Sequence, residues 1–183
     1  GSVSDGFPVY FTQLPSWGTP QSEPVEGMEA SWAVSRESMQ KVSQEVYNTG
    51  MVVSIDTGDA IELHPKNKKP IGLRHAYLAL GKTYRFPIVH EGPIFDEFSK
   101  DGPKVVLRFE STGSGLMAGR KGKIDSFAIA GKDRAWYWAD ARIDQDSLIL
   151  SSPKVKNPIA VRYAWAMNPS DRNLLYNKEG FPA

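Results

Sequence analysis

The residues best suited to chemistry lie in one acidic segment, residues 56–68, which contains His64. The segment follows the apolar run 51–55, so the sequence predicts a loop at the carboxyl end of a buried strand. Open α/β sheets carry their reactive groups at such strand ends. His64 is therefore a candidate general base, because an imidazole that a carboxylate orients can take a proton from a nucleophile.

Three acids precede His64 and are candidates for orienting its ring: Asp56, Asp59 and Glu62. Asp59 can reach the imidazole across a tight turn. Glu62 is two residues before the histidine, too close to fold back easily, and Asp56 is better placed to bind backbone N–H groups of the loop. The alternative is structural: His64 caps the following helix or bonds a carbonyl, and the acids serve turn chemistry.

The sequence shows no evident nucleophile for His64 to activate. The chain has no cysteine, which excludes a thiol nucleophile, a disulfide scaffold and cysteine-based zinc sites. Residues 113–115, Gly-Ser-Gly, lack the G-x-S-x-G pattern between strand and helix, so we predict a hairpin loop there.

The other two histidines are expected to be structural or without a clear partner. His75 is expected on the apolar face of a helix, facing the core, and His90 in a loop. The three histidines have no metal-ligand spacing, so no metal and no cofactor is expected.

Composition narrows the class of protein. The chain has 183 residues, enough for one domain or two small ones, and its 40% apolar and 23% charged residues are typical of a globular fold. A net charge of +1 gives no electrostatic footprint for nucleic acid. No apolar run approaches the roughly 20 residues that a membrane span needs. We therefore expect neither a nucleic-acid partner nor a membrane span.

The elements that position the His64 loop lie in the first half, where strands and helices are predicted to alternate. The predicted order is strand, helix, strand and helix, over residues 7–14, 28–46, 51–55 and from Pro70 onward. Near-continuous apolar character in the second strand is typical of a parallel strand covered on both faces. This order predicts a parallel sheet with a right-handed crossover, and thus an α/β domain.

In the second half, the sequence changes to short runs in which apolar and polar residues alternate, and turns that contain Gly or Pro separate these runs. Five strands are predicted, over residues 105–110, 123–130, 136–143, 148–152 and 159–165. Residues 144–147 suit a hairpin turn, and the spacing favours an antiparallel sheet or sandwich. The polar tail, residues 168–183, is expected to lie over a surface rather than in the core.

Five aromatic residues in these strands have two interpretations. They are Trp136, Tyr137, Trp138, Tyr163 and Trp165. Such rings can stack on sugars, or they can fill a core by strand alternation, and we favour the core for Trp136 or Trp138, whichever faces inward.

Several blocks of the sequence resemble the later part of sialate O-acetylesterases, members of the SGNH-hydrolase superfamily. The blocks in the first half are residues 7–14, 48–51, 55–59, 63–68 and 72–74. Those in the second half are residues 113–116, 127–131, 151–158, 161–166, 168–169 and 175–182. They follow the family's order over nearly the whole chain.

The resemblance implies an esterase that removes O-acetyl groups from sialic acid or a related sugar by serine attack, with His64 as the base. Superfamily members often carry the acid three residues before the histidine, where this chain has Ile61. The acid is then Asp59, another residue, or absent in a dyad. The family's Gly-Gln-Ser-Asn-like nucleophile block and its oxyanion-hole blocks are missing.

The chain therefore resembles a C-terminal portion: residues 1–92 a partial SGNH-type α/β domain with the His loop, and residues 93–183 a β-rich domain. The resemblance implies an O-acetylated sugar as substrate, and the N-terminal part of the same enzyme, or a second copy, as partner. It also implies no activity for the chain alone and a secreted or periplasmic full-length protein. The alternatives are a non-catalytic glycan-binding β module and a subunit that completes a partner's fold.

Overall fold

The computed structural model describes residues 6–26, 31–119, 122–169 and 173–183. Two α-helices and eleven strands are present in these ranges. Met28, where the first helix was predicted to begin, and residues 170–172 of the predicted tail lie outside them. The first-half elements are β1 (Val9–Thr12), α1 (Ser31–Glu45), β2 (Thr49–Val52) and α2 (Lys69–Leu78), and a π-helical turn (Ala79–Thr83) continues α2.

β1 and β2 form the parallel pair that the sequence predicted, with Val9 opposite Thr49 at one end and Thr12 opposite Val52 at the other. Both helices pack on β2. The backbone of Gly50 explains how α2 comes so close, because a Cβ there would press into the Tyr10 ring and the Leu78 side chain. α2 carries Pro70 in its first turn, where the missing N–H costs no hydrogen bond.

The second half is antiparallel throughout its described strands. They are β3 (Ile94–Asp101), β4 (Lys104–Glu110), β5 (Leu116–Ala118), β6 (Phe127–Ala130), β7 (Trp136–Trp138), β8 (Asp140–Asp144), β9 (Ser147–Ser151), β10 (Ala160–Tyr163) and β11 (Leu175–Asn177). They form sheets of order β3-β4-β9-β8, β10-β6-β7 and β11-β5. The predicted turn at residues 144–147 joins β8 to β9, with Gln145 at φ 55°. The chain is thus a mixed fold of few helices and mainly antiparallel sheets.

Several expectations for this half were wrong. Residues 136–143 are not one strand, because β7 pairs with β6 whereas β8 pairs with β9 in another sheet. β3, β5 and β11 were not predicted. Most of β3 is exposed, so it lacks the apolar alternation by which a half-buried strand is recognised. Residues 113–115 connect β4 to β5, which pair with different strands, and so do not close a hairpin.

Two further corrections concern the core. Leu174 and Leu175, in the segment expected to lie over a surface, are fully buried and belong to the packed interior. Tyr137, rather than Trp136 or Trp138, packs against the main core cluster. The cluster's buried members come mainly from β4, β6 and β9. The side chains of β7 do alternate between core and surface, as predicted. Because β7 ends before Ala139, Tyr137 is the residue of this strand that faces inward.

The two halves are in contact. Ile55 beyond β2 packs with Ala164 and Leu174 in one buried cluster. Pro20 forms a parallel bridge with Asn168. The predicted division at residues 92 and 93 remains a prediction. Within the described ranges, no helix combines the length and apolarity needed to cross a bilayer.

Candidate functional site

His64 lies on the loop between β2 and α2, and its side chain is 81% exposed. The strand that delivers the loop is parallel to its neighbour, as expected, and the ring projects from the carboxyl-terminal side of β2. This position leaves the imidazole accessible to a second reactive group. It also means that the described part of the chain does not bury the base, so desolvation must come from substrate or from other polypeptide.

Glu62 folds back onto His64, contrary to our expectation that two residues are too few. Its Oε1 lies 3.7 Å from His64 Nδ1 and accepts the His64 backbone N–H at 3.2 Å. The backbone bond closes a short side-chain turn that holds the carboxylate beside the ring. In the described ranges, Glu62 is the acid whose carboxylate lies beside the His64 ring, and the two form an ion pair only when the imidazole is protonated.

Asp59, the predicted orienting acid, has a different set of partners. Its Oδ1 accepts the backbone N–H groups of Ile61 at 2.8 Å and Glu62 at 2.6 Å. These two bonds lower the pKa of the Asp59 carboxyl. Asp59 therefore fixes the turn that leads to Glu62 and His64, and its assignment as the acid that touches the imidazole remains a prediction without a supporting contact.

Asp56 anchors the start of the loop through an arginine, not through loop N–H groups. Arg74 on α2 donates from Nη1 to Asp56 Oδ1 at 2.6 Å and from Nη2 to Oδ2 at 2.7 Å. Arg74 Nη1 also donates to the Val53 carbonyl, and the Tyr176 hydroxyl lies 3.4 Å from Asp56 Oδ2. A bidentate pair of this kind restricts both partners. It ties the end of β2, α2 and β11 together beneath the His64 loop.

A second set of contacts holds the loop against the segment that follows β1. Gly58 passes so close to Ser16 that a Cβ there would overlap the Ser16 backbone. Trp17 forms a parallel bridge with Asp59, and its Nε1 lies 3.4 Å from the Ile61 carbonyl. Trp17 and Arg74 were not predicted as positioning residues, because the residues that they contact are far away in the sequence.

No serine of the described ranges bonds the His64 ring. Ser114, the one serine in a Gly-Ser-Gly context, donates its hydroxyl to Glu179 Oε1 at 2.5 Å. Its backbone N–H donates to the same carboxylate at 3.0 Å. These bonds lower the pKa of Glu179, which remains exposed. Ser114 thus joins two surface turns and has a carboxylate, not an imidazole, as its neighbour.

The other histidines have structural partners. His75 Nε2 lies 2.8 Å from Thr12 Oγ1, and burial lowers the pKa of its imidazole. His90 Nδ1 lies 3.1 Å from the Ile88 carbonyl, and its ring covers Gly81, where a Cβ would overlap it. Among the residues that the structure describes, no cluster of three His, Asp or Glu side chains has the arrangement of a metal site.

The aromatic residues of the second half have mixed surroundings. The guanidinium of Arg162 lies 4.1 Å from the ring centre of Trp165 and 4.9 Å from that of Trp136. Arg162 therefore covers one face of each ring. Tyr163 is buried, which raises the pKa of its hydroxyl, and it packs on Phe127 at 4.7 Å. Tyr163 is a core residue, and for the other, half-buried rings stacking on a sugar stays a prediction.

Comparison with known proteins finds a similar solved structure. Neither a protein-family model nor a curated protein matches the chain. A solved structure of a carbohydrate acetylesterase from Xanthomonas citri is similar, with a TM-score of 0.87 and 36% identity over 97% of this chain. The match covers 40% of that esterase's chain. The chain is therefore similar, over almost its whole length, to less than half of a carbohydrate esterase.

Proposed function

We propose that this chain is the part of a carbohydrate O-acetylesterase that carries the general base, and that the enzyme is of the sialate O-acetylesterase type. One observation carries the proposal: the exposed His64, held on an ordered loop after a parallel strand, occurs in a chain 36% identical to a carbohydrate acetylesterase. The ester group of an O-acetylated sugar is the substrate.

The chemistry assigned to His64 is proton transfer. Its Nδ1 faces Glu62, so Nε2 is the nitrogen available to a nucleophile. In the proposed reaction a serine hydroxyl attacks the acetyl carbonyl while His64 Nε2 takes its proton. The imidazolium then gives that proton to the departing sugar oxygen. Water, deprotonated by the same nitrogen, attacks the acetyl-serine, and the imidazolium returns that proton to the serine oxygen as acetate is released.

Glu62 is our choice for the orienting acid, in preference to Asp59. An acid in this role must lie near the imidazole nitrogen that faces away from the nucleophile, and it stabilises the imidazolium that forms. Glu62 Oε1 is 3.7 Å from Nδ1, whereas the two hydrogen bonds that Asp59 Oδ1 accepts come from the backbone N–H groups of Ile61 and Glu62. Asp59 then acts as a positioning residue for the Glu62–His64 turn.

The serine is proposed to come from polypeptide outside this chain. The solved esterase is more than twice as long as the matched part, so it has room for a nucleophile block. Under this proposal β1 and β2 are the last strands of an SGNH-type parallel sheet. Two exposed apolar side chains, Phe7 just before β1 at 74% and Val9 in β1 at 53%, are surface that such a sheet would cover.

The proposal is tested by hydrolysis of p-nitrophenyl acetate and of an O-acetylated sugar. The chain alone should give no turnover above buffer. A polypeptide that also includes the upstream coding sequence should be active, and His64→Ala should abolish that activity. Ser114→Ala is the matched control and should leave it unchanged. Turnover by the isolated chain that Ser114→Ala removes would instead identify Ser114 as the nucleophile.

A further inference from the structure

A depression of about 300 Å³ lies between two loops of the second half. One loop, residues 131–135, joins β6 to β7, and the other, residues 152–159, joins β9 to β10. Its volume is at the lower end of small-molecule sites, which begin at roughly 300 Å³. His64 is not among the lining residues. The depression is therefore separate from the candidate base.

Positive charge dominates this depression, which we call the lysine pocket. Three lysines and one aspartate line it, Lys132, Lys154, Lys156 and Asp133, which leaves a net charge of +2 in a chain whose total is +1. All four residues are exposed, so their charged groups can meet a ligand from solvent. A concave surface lined mainly by one sign of charge focuses its field and concentrates counter-ions. The lysine pocket is thus suited to an anion.

The charges of the lysine pocket are not neutralised within the described ranges. None of the ion pairs between described residues involves its three lysines or Asp133. The Asp133 carboxylate instead accepts the backbone N–H of Ala135 on Oδ1 at 3.2 Å. At the rim, Lys100 Nζ donates to Asn157 Oδ1 at 3.2 Å and adds a fourth positive charge. A ligand anion would supply the missing countercharge.

Packing fixes the loop that carries two of the lysines. Val155 is 5% exposed and belongs to the main core cluster, so it anchors this loop with Lys154 and Lys156 on either side of it. The ammonium of Lys154 lies 5.3 Å from the centre of the Tyr137 ring, a cation–π contact. A cation that is already held in place loses less side-chain entropy when a ligand binds.

We propose that the lysine pocket binds a doubly charged phosphate group, either free phosphate or the phosphate ester of a sugar. A phosphate monoester carries a charge of about −1.5 to −2 at pH 7 and three strong acceptor oxygens. It therefore matches both the net charge of the lysine pocket and its three ammonium groups. A carboxylate or a sulfate ester carries a single charge and leaves part of the positive charge unbalanced. The site goes beyond ester hydrolysis, because none of its residues belongs to the His64 loop.

The test is calorimetric titration of the purified chain at low salt with D-glucose 6-phosphate, D-glucose 6-sulfate and D-glucose. The phosphate should bind saturably at one site per chain, the sulfate several-fold more weakly, and glucose not measurably. Lowering the pH from about 7.5 to about 5 should weaken binding of the phosphate, because its second pKa is about 6, but should not weaken binding of the sulfate.

Inorganic phosphate separates the two sources of the group. Equal affinity for inorganic phosphate and D-glucose 6-phosphate would assign the site to the phosphate group alone. Tighter binding of the sugar phosphate would assign it to a phosphorylated sugar. Both results support a phosphate site.

Variants of opposite sign test the residues. The double variant Lys132→Met and Lys156→Met, with one lysine from each loop, should weaken binding of D-glucose 6-phosphate by about tenfold, since each exposed charge pair contributes up to about fivefold. Asp133→Asn keeps an acceptor for the Ala135 N–H and removes a repelling charge, so it should strengthen binding by about twofold to fivefold. Lys41→Met, on α1 and outside the lining, is the control and should leave binding unchanged.

Melting transitions check that each variant folds. Absence of saturable binding of D-glucose 6-phosphate, equal binding of D-glucose, or unaltered binding by the double variant would overturn the proposal. Because the readout is binding and the His64 loop takes no part, failure of the esterase proposal would not change this result.

Discussion

Glu62 Oε1 lies 3.7 Å from the Nδ1 atom of His64 and accepts the backbone N–H of the same residue at 3.2 Å. One carboxylate oxygen therefore touches both the backbone and the ring of the candidate base. The ring is 81% exposed, so the pair contributes little to stability in its present surroundings. Its importance is orientation: it leaves Nε2 as the nitrogen that faces outward.

The first prediction separates Glu62 from Asp59 in the longer polypeptide proposed above as the active enzyme. Glu62→Gln should lower kcat by about 100-fold or more with little change in KM, because general-base catalysis contributes roughly 10²–10⁴-fold and depends on the orienting acid. Asp59→Asn should have the smaller effect, since the amide oxygen can still accept the two turn bonds and only the charge on the acceptor is lost. Steady-state kinetics on the two variants decides, and a larger loss with Asp59→Asn would restore Asp59 as the acid.

The second prediction concerns the Arg74–Asp56 pair. Arg74→Met should lower the free energy of unfolding by about 3–5 kcal/mol, because it leaves a partly buried carboxylate without its partner. Urea denaturation measures this change. Arg108→Met, which removes an exposed pair with Glu97, is the control and should alter stability by less than about 1 kcal/mol. Similar losses for both variants would mean that burial adds nothing to the Arg74 pair.

The third prediction uses two glycines in opposite surroundings. Gly58→Ala should destabilise the chain and displace the His64 loop, because its Cβ would overlap the Ser16 backbone. Gly72→Ala, inside α2 with open space at the Cβ position, should stabilise it by about 0.5–1 kcal/mol. Thermal melts of both variants test this pair. Tolerance of Gly58→Ala would show that the loop can move away from Ser16.

The fourth prediction follows from His75. Burial lowers the pKa of this imidazole in the folded state, so below the ordinary value of 6.5 the unfolded chain binds more protons. The contribution of His75 to stability is thus present above pH 6.5 and lost as pH falls. His75→Gln should flatten the dependence of unfolding free energy on pH between about 7 and 5. An unchanged slope in His75→Gln would contradict this prediction.

The fifth prediction concerns association. β1 has β2 as its strand partner in the described ranges, and it carries the exposed Val9. The isolated chain should self-associate with rising concentration, because an unpaired edge with apolar side chains favours strand pairing. Light scattering should show a lower association tendency for Val9→Lys, whereas Met117→Lys, at an exposed position in the second half, should behave like the unmodified chain. A strictly monomeric chain would contradict the prediction.

Much of the local structure was determined by the sequence alone. The apolar run before residue 56 predicted the strand that delivers His64, and glycine and proline marked the ends of the first-half elements. Alternation located the strands β4, β6, β9 and β10, within a few residues. It could not locate β3, because an exposed edge strand needs no apolar face, and it could not detect the change of sheet at Ala139.

The partners of the site residues were decided by the tertiary structure. Asp56 meets Arg74 only because α2 crosses β2, and Arg36 reaches the carbonyls of Ala166 and Met167 only because the second half packs beside α1. Contacts between residues that are so far apart in the chain leave no periodic signal in the sequence. Composition and spacing determine which residues can do chemistry and which elements carry them, whereas ion pairs and buried donors depend on where distant elements finally pack.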